Sequence, residues 1–160
     1  MMRRLAIASA VLVFTAIHAG AAETKKPRLP VEIEADQMEV IDADKRSVFT
    51  GKVVAVRGDM TMQADKMIAD YTPAQQADGT TKNEISKIDA TGNIVIVTKK
   101  QRVTGQWAKI DPVTNDMTVG GNVVLKEGQT VLRGPLLEAN LDTDRMVMKG
   151  GRVKGSFVPN

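Results

Sequence analysis

The sequence has 160 residues, with 22 Lys and Arg against 19 Asp and Glu, one histidine and no cysteine. This length suffices for one domain, and the lack of cysteine excludes both a disulfide framework and a cysteine nucleophile. The formal net charge of +3 is too small to provide an electrostatic footprint for nucleic acid.

The first 21 residues have the organisation of a secretory signal peptide. Arg3 and Arg4 precede an apolar run over 5–17, and Ala19-Gly20-Ala21 has the small-x-small form of a signal peptidase site. The apolar run is too short for a membrane span. We therefore predict export with cleavage after Ala21, and the alternative is an uncleaved N-terminal anchor.

Cleavage changes the chemistry that the chain has available. His18, the only histidine, leaves with the signal, and so do Arg3 and Arg4, which lowers Lys plus Arg to 20 against 19 acidic residues. Without His and Cys the mature chain has no Ser-His-Asp triad and no ordinary zinc, copper or haem ligands. We predict a non-enzymatic protein with no metal and no cofactor.

A polar, proline-flanked segment over 22–30 predicts a flexible leader, followed by one domain over 31–160. The domain begins with strict alternation, because Val31, Ile33 and Ala35 are separated by Glu32 and Glu34. Period-two alternation predicts a strand with one buried face. The predicted strands cover residues 31–40, 46–57, 59–71, 84–98, 102–110, 116–126, 130–141 and 145–154.

Chain reversals come roughly every 15 residues, which favours an antiparallel meander, and no helix is predicted after the signal. The segment 72–82 combines Pro, Gly, Asp and Thr residues, so it is predicted to be an exposed loop.

A repeat of about 29 to 30 residues runs through the domain. Thr-Gly-Lys-Val-Val at 50–54 recurs as Thr-Gly-Asn-Ile-Val at 91–95 and as Gly-Gly-Asn-Val-Val at 120–124. Gly92 and Gly121 are 29 positions apart, and Gly151 follows after 30. Gly51 and Gly92 are 41 apart, which indicates one period plus an insertion near 72–82. A fixed period of this size predicts an array of hairpins, each packed on the next.

Small residues near the middle of each run predict that the sheet is folded along a crease, since glycine within a strand marks a bend or a close approach. They are Gly51, Gly92, Gly121 and Gly151, and in the facing runs Ala35, Ala64, Gly105 and Gly134. Two half-sheets would then face each other across an elongated apolar interior. Asn93 and Asn122, each after a glycine, are interpreted as residues that tolerate unusual backbone angles at a bulge.

Repeat equivalence and alternation group nine small or apolar residues on the inner face of this array. They are Ile33, Ala35, Met62, Ile94, Ile96, Val103, Val123, Leu125 and Leu132. The methionines, among them Met60, Met62 and Met146, suit an interior that re-packs around a ligand, but they also suit gap-filling in an aromatic-poor core.

Two acidic patterns resemble chemical sites. Asp36 and Asp65 occupy matching repeat positions and could serve as a glycosidase pair, but the alternation places them on the solvated face. Asp42 and Asp44, and the segment 78–84, lack the spacing of a known calcium loop.

The chain resembles the OstA-like family of periplasmic lipopolysaccharide-transport proteins. The resemblance rests on Ile-x-Ala-Asp at 33–36, TGKVVAVRGD at 50–59, Met-x-Ala-Asp-Lys at 62–66 and the repeated Gly-Asn-Val/Ile, and it covers roughly residues 31–153. It implies a twisted, V-shaped antiparallel β-jellyroll in the periplasm. The nine inner residues would then contact the acyl chains of lipid A, the membrane anchor of lipopolysaccharide.

The same resemblance implies partners. Family members associate head to tail, and they join LptC-like and LptD-like proteins through strand edges to bridge the inner and outer membranes. The chain departs from the family pattern by stopping soon after Val153. Charges near the two end strands could block the edges or attract each other between molecules. They are Glu32, Glu34 and Glu39 near the first strand and Lys149, Arg152 and Lys154 near the last. A structural β-repeat assembly module and a membrane-anchored LptC-like subunit are the alternatives.

Overall fold

The computed structural model describes residues 29–76 and 78–158. The predicted signal peptide and most of the predicted leader lie outside the described residues. Within those residues the chain forms ten strands and one short 3-10 helix (Asp42–Asp44). The strands are β1 (Glu32–Glu34), β2 (Gln37–Ile41), β3 (Arg46–Arg57), β4 (Met60–Gln75), β5 (Thr81–Val97), β6 (Gln101–Asp111), β7 (Asp116–Glu127), β8 (Thr130–Asn140), β9 (Arg145–Lys149) and β10 (Lys154–Ser156).

All the described strands belong to one antiparallel sheet that follows chain order. Strands β3 to β8 pair successively, as in a meander of hairpins. At one edge β1 and β2 both pair with β3, and at the other β9 and β10 both pair with β8. No pairing joins the two edges within the described part of the chain, so the sheet is open. The predicted all-β antiparallel architecture is confirmed.

The two edge segments differ from the prediction, which made 31–40 and 145–154 continuous strands. The first is divided between β1 and β2, and the second ends at Lys149 and resumes as β10. Gly150 and Gly151, with φ of +88° and +151°, separate β9 from β10. An edge strand has a neighbour on one side only, so it can leave the ladder where the sheet bends.

Three pairs of consecutive residues with positive φ, at 51–52, 92–93 and 121–122, fold the sheet along one line. The φ angles are +83°, +81° and +82° at Gly51, Gly92 and Gly121, and +45°, +47° and +52° at Lys52, Asn93 and Asn122. Each pair lies opposite a single residue of the following strand, which is the arrangement of a β-bulge. The predicted crease is this line of bulges, and the interpretation of Asn93 and Asn122 is confirmed.

The crease divides the sheet into two half-sheets, to which most strands contribute one part each. Half-sheet A comprises residues 37–50, 66–91, 107–120 and 136–149. Half-sheet B comprises residues 32–34, 53–64, 94–104, 123–134 and 154–156.

Both half-sheets contribute side chains to one apolar core. In β4 the buried positions are Met62 and Ala64 before the crease but Met67 and Ala69 after it. The bulge therefore reverses which alternate positions face inward within one strand. The buried apolar residues are Phe49, Val53, Ala55, Met62, Ala64, Met67, Ala69, Ile88, Ala90, Ile94, Ile96, Val103, Ala108, Ile110, Met117, Val119, Val123, Leu125, Leu137 and Ala139.

The predicted loop over 72–82 is wrong. Strands β4 and β5 continue past their neighbours as a two-stranded arm over 71–85, paired from Tyr71 opposite Ile85 to Gln75 opposite Thr81. Pro73 is tolerated because pairing of β4 with β3 has already ended at Asp70, so its missing N–H faces an open edge. Only the tip near Gly79, at φ +81°, has the conformation of a turn.

No helix within the described residues combines the length and the apolar character of a membrane span.

Candidate functional site

The nine predicted inner residues all lie on the inner face or at its ends. Six are at most 4% exposed: Met62, Ile94, Ile96, Val103, Val123 and Leu125. Ile33, Ala35 and Leu132 are partly buried and pack against the core. Whether these side chains contact a lipid stays a prediction.

Seven inner residues form a continuous apolar row across half-sheet B, because each lies directly opposite the next in the strand pairing. The row runs Ile33, Ala55, Met62, Ile96, Val103, Leu125 and Leu132, and it ends opposite Gly155 of β10. Seven strands at about 4.8 Å spacing make this row about 29 Å long. It begins on the edge strand β1 and ends on β8, one strand from the other edge.

A cleft of about 610 Å³ opens between the rims of the two half-sheets that lie away from the crease. This volume falls in the usual range of small-molecule sites, about 300–1,000 Å³. Apolar side chains from both half-sheets line it: Leu29, Met60, Ile96, Val103, Met117, Ala139, Leu141 and Met146. The cleft is therefore an open, mostly apolar part of the interior that is large enough for a ligand to enter.

Beside the cleft, on the side of β3 and β4, the interior is filled by the protein's own side chains. Between half-sheet B at Ala55 and Met62 and half-sheet A at Ile88 and Ile110, only about 10 Å³ remains. An apolar ligand that extends along the whole row would need the half-sheets to separate there.

The two rims of the cleft carry different charges. On half-sheet B the rim includes Arg57, Lys99 and Lys100, and Lys99 Nζ lies 2.9 Å from Asp59 Oδ2. Both partners of this pair are largely exposed, so it contributes little to stability.

The opposite rim is acidic and amide-rich. Asn115, held at φ +59°, donates from Nδ2 to Asp142 Oδ2 at 2.8 Å, while its Oδ1 is buried without a hydrogen-bond partner. Asn140 donates from Nδ2 to Asp116 Oδ1 at 2.7 Å, and this hydrogen bond, with a further one from Thr114, lowers the pKa of the Asp116 carboxyl.

The nine predicted inner residues leave out the half-sheet A side of the interior, to which only the methionine pattern pointed, through Met146. All nine predicted residues lie in half-sheet B or at the crease, whereas Met117, Ala139 and Met146 line the cleft from half-sheet A. For Ala139, the signal that could have found it is a second alternation, in opposite phase, after the small residue of β8; β4 and β6 show the same change of phase. Of the methionines, Met62, Met67 and Met117 are buried, but Met38 is 60% exposed.

The repeated Ala-Asp carboxylates lie on the outside of the crease. Asp36 and Asp65 are exposed, and each covers a glycine of the next strand, Gly51 and Gly92 respectively. Asp65 also accepts a hydrogen bond from Asn93 Nδ2 at 2.8 Å. Among the described residues no group of three or more His, Cys, Asp or Glu is placed to hold a metal ion.

Comparison with known proteins identifies this arrangement. Residues 32–145 match the family model described as "LptA/(LptD N-terminal domain) LPS transport protein". The chain belongs to the LptA/LptD N-terminal family. The matched residues span β1 to the start of β9, so the creased sheet and its interior are the family's domain.

The chain also has two sequence relatives, one of which is an LptD protein. An uncharacterized protein of Rhizobium meliloti is 31% identical over 134 residues, which are 81% of this chain and 72% of that protein. The LPS-assembly protein LptD of Nitrosomonas eutropha is 33% identical over 93 residues, 54% of this chain but only 12% of that larger protein. This chain is thus similar to one region of that LptD protein.

The fold is also that of a solved LptA-like structure. LptH of Pseudomonas aeruginosa, the LptA homologous periplasmic component of its lipopolysaccharide transport device, superposes with a TM-score of 0.68 and 13% identity. The match covers 82% of this chain and 96% of LptH. The LptA-like β-jellyroll expected from the sequence is therefore confirmed.

Proposed function

We propose that this chain is a periplasmic carrier that shields the lipid A acyl chains of lipopolysaccharide between its two half-sheets. The observation that carries the proposal is the apolar row from Ile33 to Leu132, which is continuous across seven strands from the edge strand β1 to β8. Family membership supports the substrate class. No covalent step is required, so the protein would act without catalysis, metal or cofactor.

Acyl burial supplies enough free energy for such a carrier. Each methylene removed from water contributes about 0.8 kcal/mol, so ten methylenes contribute about 8 kcal/mol before ordering costs are subtracted. Part of this free energy would separate the half-sheets where their own side chains meet, at Met62 and Ile110. The partly buried methionines Met60 and Met146 at the cleft can adopt new rotamers at small cost.

The open edges would link carriers into a bridge. Inner-face side chains are exposed at one end, Met38 at 60% and Val40 at 55%, and Phe157 is 69% exposed near the other. An unpaired edge with exposed apolar side chains is a template for strand addition. Repeated head-to-tail contacts are open-ended, and LptC-like and LptD-like proteins would take the two terminal positions.

The filled interior between Ala55 and Ile110 favours the second candidate, a β-repeat assembly module that binds no lipid. The two candidates differ in one measurement. Purified carrier should extract lipopolysaccharide from detergent micelles in a stable complex, whereas an assembly module should not.

Paired photocrosslinking in cells making lipopolysaccharide tests the carrier directly. Leu132 pairs with Leu125 on the inner face, whereas its neighbour Arg133 pairs with Val124 on the outer face. A photoreactive residue at position 132 should crosslink lipopolysaccharide, and the same residue at position 133 should not. Equal crosslinking, or crosslinking at 133 alone, would contradict the proposal.

A further inference from the structure

The outer face of half-sheet B is divided into two parts of opposite charge. On β1, β3, β4 and β5 the outward residues include the carboxylates of Glu32 and Glu34 and no cation. On β6, β7, β8 and β10 they include four cations and no carboxylate. We name this second part the basic face: Arg102, Thr104, Val124, Lys126, Val131, Arg133, Lys154 and Ser156.

The four cations of the basic face form two directly opposed pairs. Arg102 lies opposite Lys126, and Lys154 lies opposite Arg133, all four being exposed. Like charges opposite each other in adjacent strands destabilise a sheet. None of the four has an ion-pair partner among the residues that the structure describes.

The outer face of half-sheet A is built differently. There three cations pair with carboxylates on the same face: Arg46 with Asp70 at 2.6 Å, Lys87 with Asp89 at 2.6 Å and Lys149 with Glu138 at 2.7 Å. On the basic face the opposed cations have no such carboxylate beside them among the described residues, so their repulsion is not compensated there.

The position of these cations indicates a partner that covers the sheet. Lys154 is on the edge strand β10, where an added strand could neutralise it. Lys126 and Arg102 lie two and three strands further in, about 10 and 14 Å from that edge. An added strand would leave the Arg102–Lys126 pair unrelieved, so the partner must lie flat against the basic face.

We propose that the basic face docks on the anionic surface of a phospholipid bilayer. Four cations without an intervening carboxylate suit a continuous negative surface, whereas a protein partner presents both signs. The partly exposed Val124 and Val131 lie between the cations and would contact the headgroup layer. The cleft opens on the other side of the same half-sheet, so docking leaves it free. The proposal does not depend on the cleft holding lipid.

Vesicle co-sedimentation of the purified protein tests this docking. Vesicles in which phosphatidylglycerol replaces about a third of the phosphatidylcholine should bind the protein at low salt, and pure phosphatidylcholine should not. Replacing Arg102 and Lys126 together with Thr should weaken binding by about 30-fold. High salt should abolish binding by the unsubstituted protein, because the interaction is electrostatic.

The matched control replaces Lys66 and Lys109 with Thr. Both are exposed on the outer side of half-sheet A, and the change in net charge is the same. The control should bind within about twofold of the unsubstituted protein, since its basic face is intact.

A denaturation measurement keeps the result interpretable. Removing an opposed like-charge pair should leave the urea midpoint of the Arg102/Lys126 variant unchanged or higher. Equal loss of binding in both double variants would overturn the proposal, because only net charge would then matter. Binding to neutral vesicles as tight as to anionic ones would also overturn it, and so would capture of an acidic protein with no vesicle binding.

Discussion

The carboxylate of Asp65 occupies the space in which any residue other than glycine at position 92 would place its Cβ. The same relationship recurs between Asp36 and Gly51, and between Gln106 and Gly121. In each of these repeats, one strand carries a small residue at its midpoint, and the residue directly after it covers the glycine of the following strand. The crease is therefore maintained by a contact between strands in addition to the backbone angles of single residues.

Replacing Gly92 with Ala should lower the free energy of unfolding by more than the strain of a positive φ, about 1–2 kcal/mol, because Asp65 must also move. Trp107, the only tryptophan, pairs with Thr91 beside the crease and reports urea unfolding by fluorescence. The matched control is Gly79→Ala, which has the same φ of +81° and no atom within 4 Å of the added Cβ. Adding Asp65→Ala to the Gly92 variant should recover part of the loss. Equal midpoints for the Gly92 and Gly79 variants would contradict this account.

Lipid binding should depend on which face of β9 carries a charge. Met146 is partly buried and lines the cleft, whereas the adjacent Val147 lies on the outer face, 36% exposed. Met146→Lys should weaken lipopolysaccharide binding at least about tenfold, because an ammonium group in an apolar cleft is costly to desolvate. Val147→Lys should change it by less than about twofold. If both variants bind lipopolysaccharide equally well in the extraction assay, the cleft is not its entry point.

Head-to-tail association should respond to charges at the two edges. Glu34 on β1 and Lys154 on β10 both face outward, and they would be neighbours if β10 of one copy paired with β1 of the next. Glu34→Lys should weaken self-association in sedimentation velocity, since like charges would then meet. Adding Lys154→Glu should restore it. A double variant no better than the single one would show that these edges do not meet in this way.

The arm over 71–85 should be dispensable for folding. Thr72 and Glu84 are opposite each other, so residues 73–83 can be replaced by Asn-Gly, which forms a two-residue hairpin turn. The shortened chain should keep its β-type circular dichroism and unfold cooperatively, within about 1 kcal/mol of the full chain. Tyr71 and Ile85, which pack against the core, are retained. Loss of cooperative unfolding would show that the arm stabilises the domain.

Export should remove the first 21 residues. Mass spectrometry of periplasmic protein is expected to find a chain that starts at or near Ala22, because Ala19-Gly20-Ala21 fits the peptidase site. Full-length protein in the membrane fraction would instead indicate an uncleaved anchor, as in an LptC-like subunit.

The sequence by itself determined the strand array and the place where it bends. Two local signals were enough: the 29-residue spacing from Gly92 to Gly121, and the alternation around Ile33 and Met62. The period-two direction of side chains and the left-handed backbone angles of glycine are both properties of short segments. These local features predicted the meander, the crease and the inner face of half-sheet B.

Only the tertiary structure decided the rest. A bulge adds one residue to one strand of a pair, and beyond it the alternation of the partner strand is reversed in phase. The inward position of Met67, Ala108 and Leu137 therefore depends on the register with the neighbouring strand. Likewise, Pro73 and Gly79 indicate a loop by local rules, yet β4 and β5 pair across this region because each supplies the other's hydrogen bonds. The cleft, to which both half-sheets contribute, exists only once the crease brings their rims together.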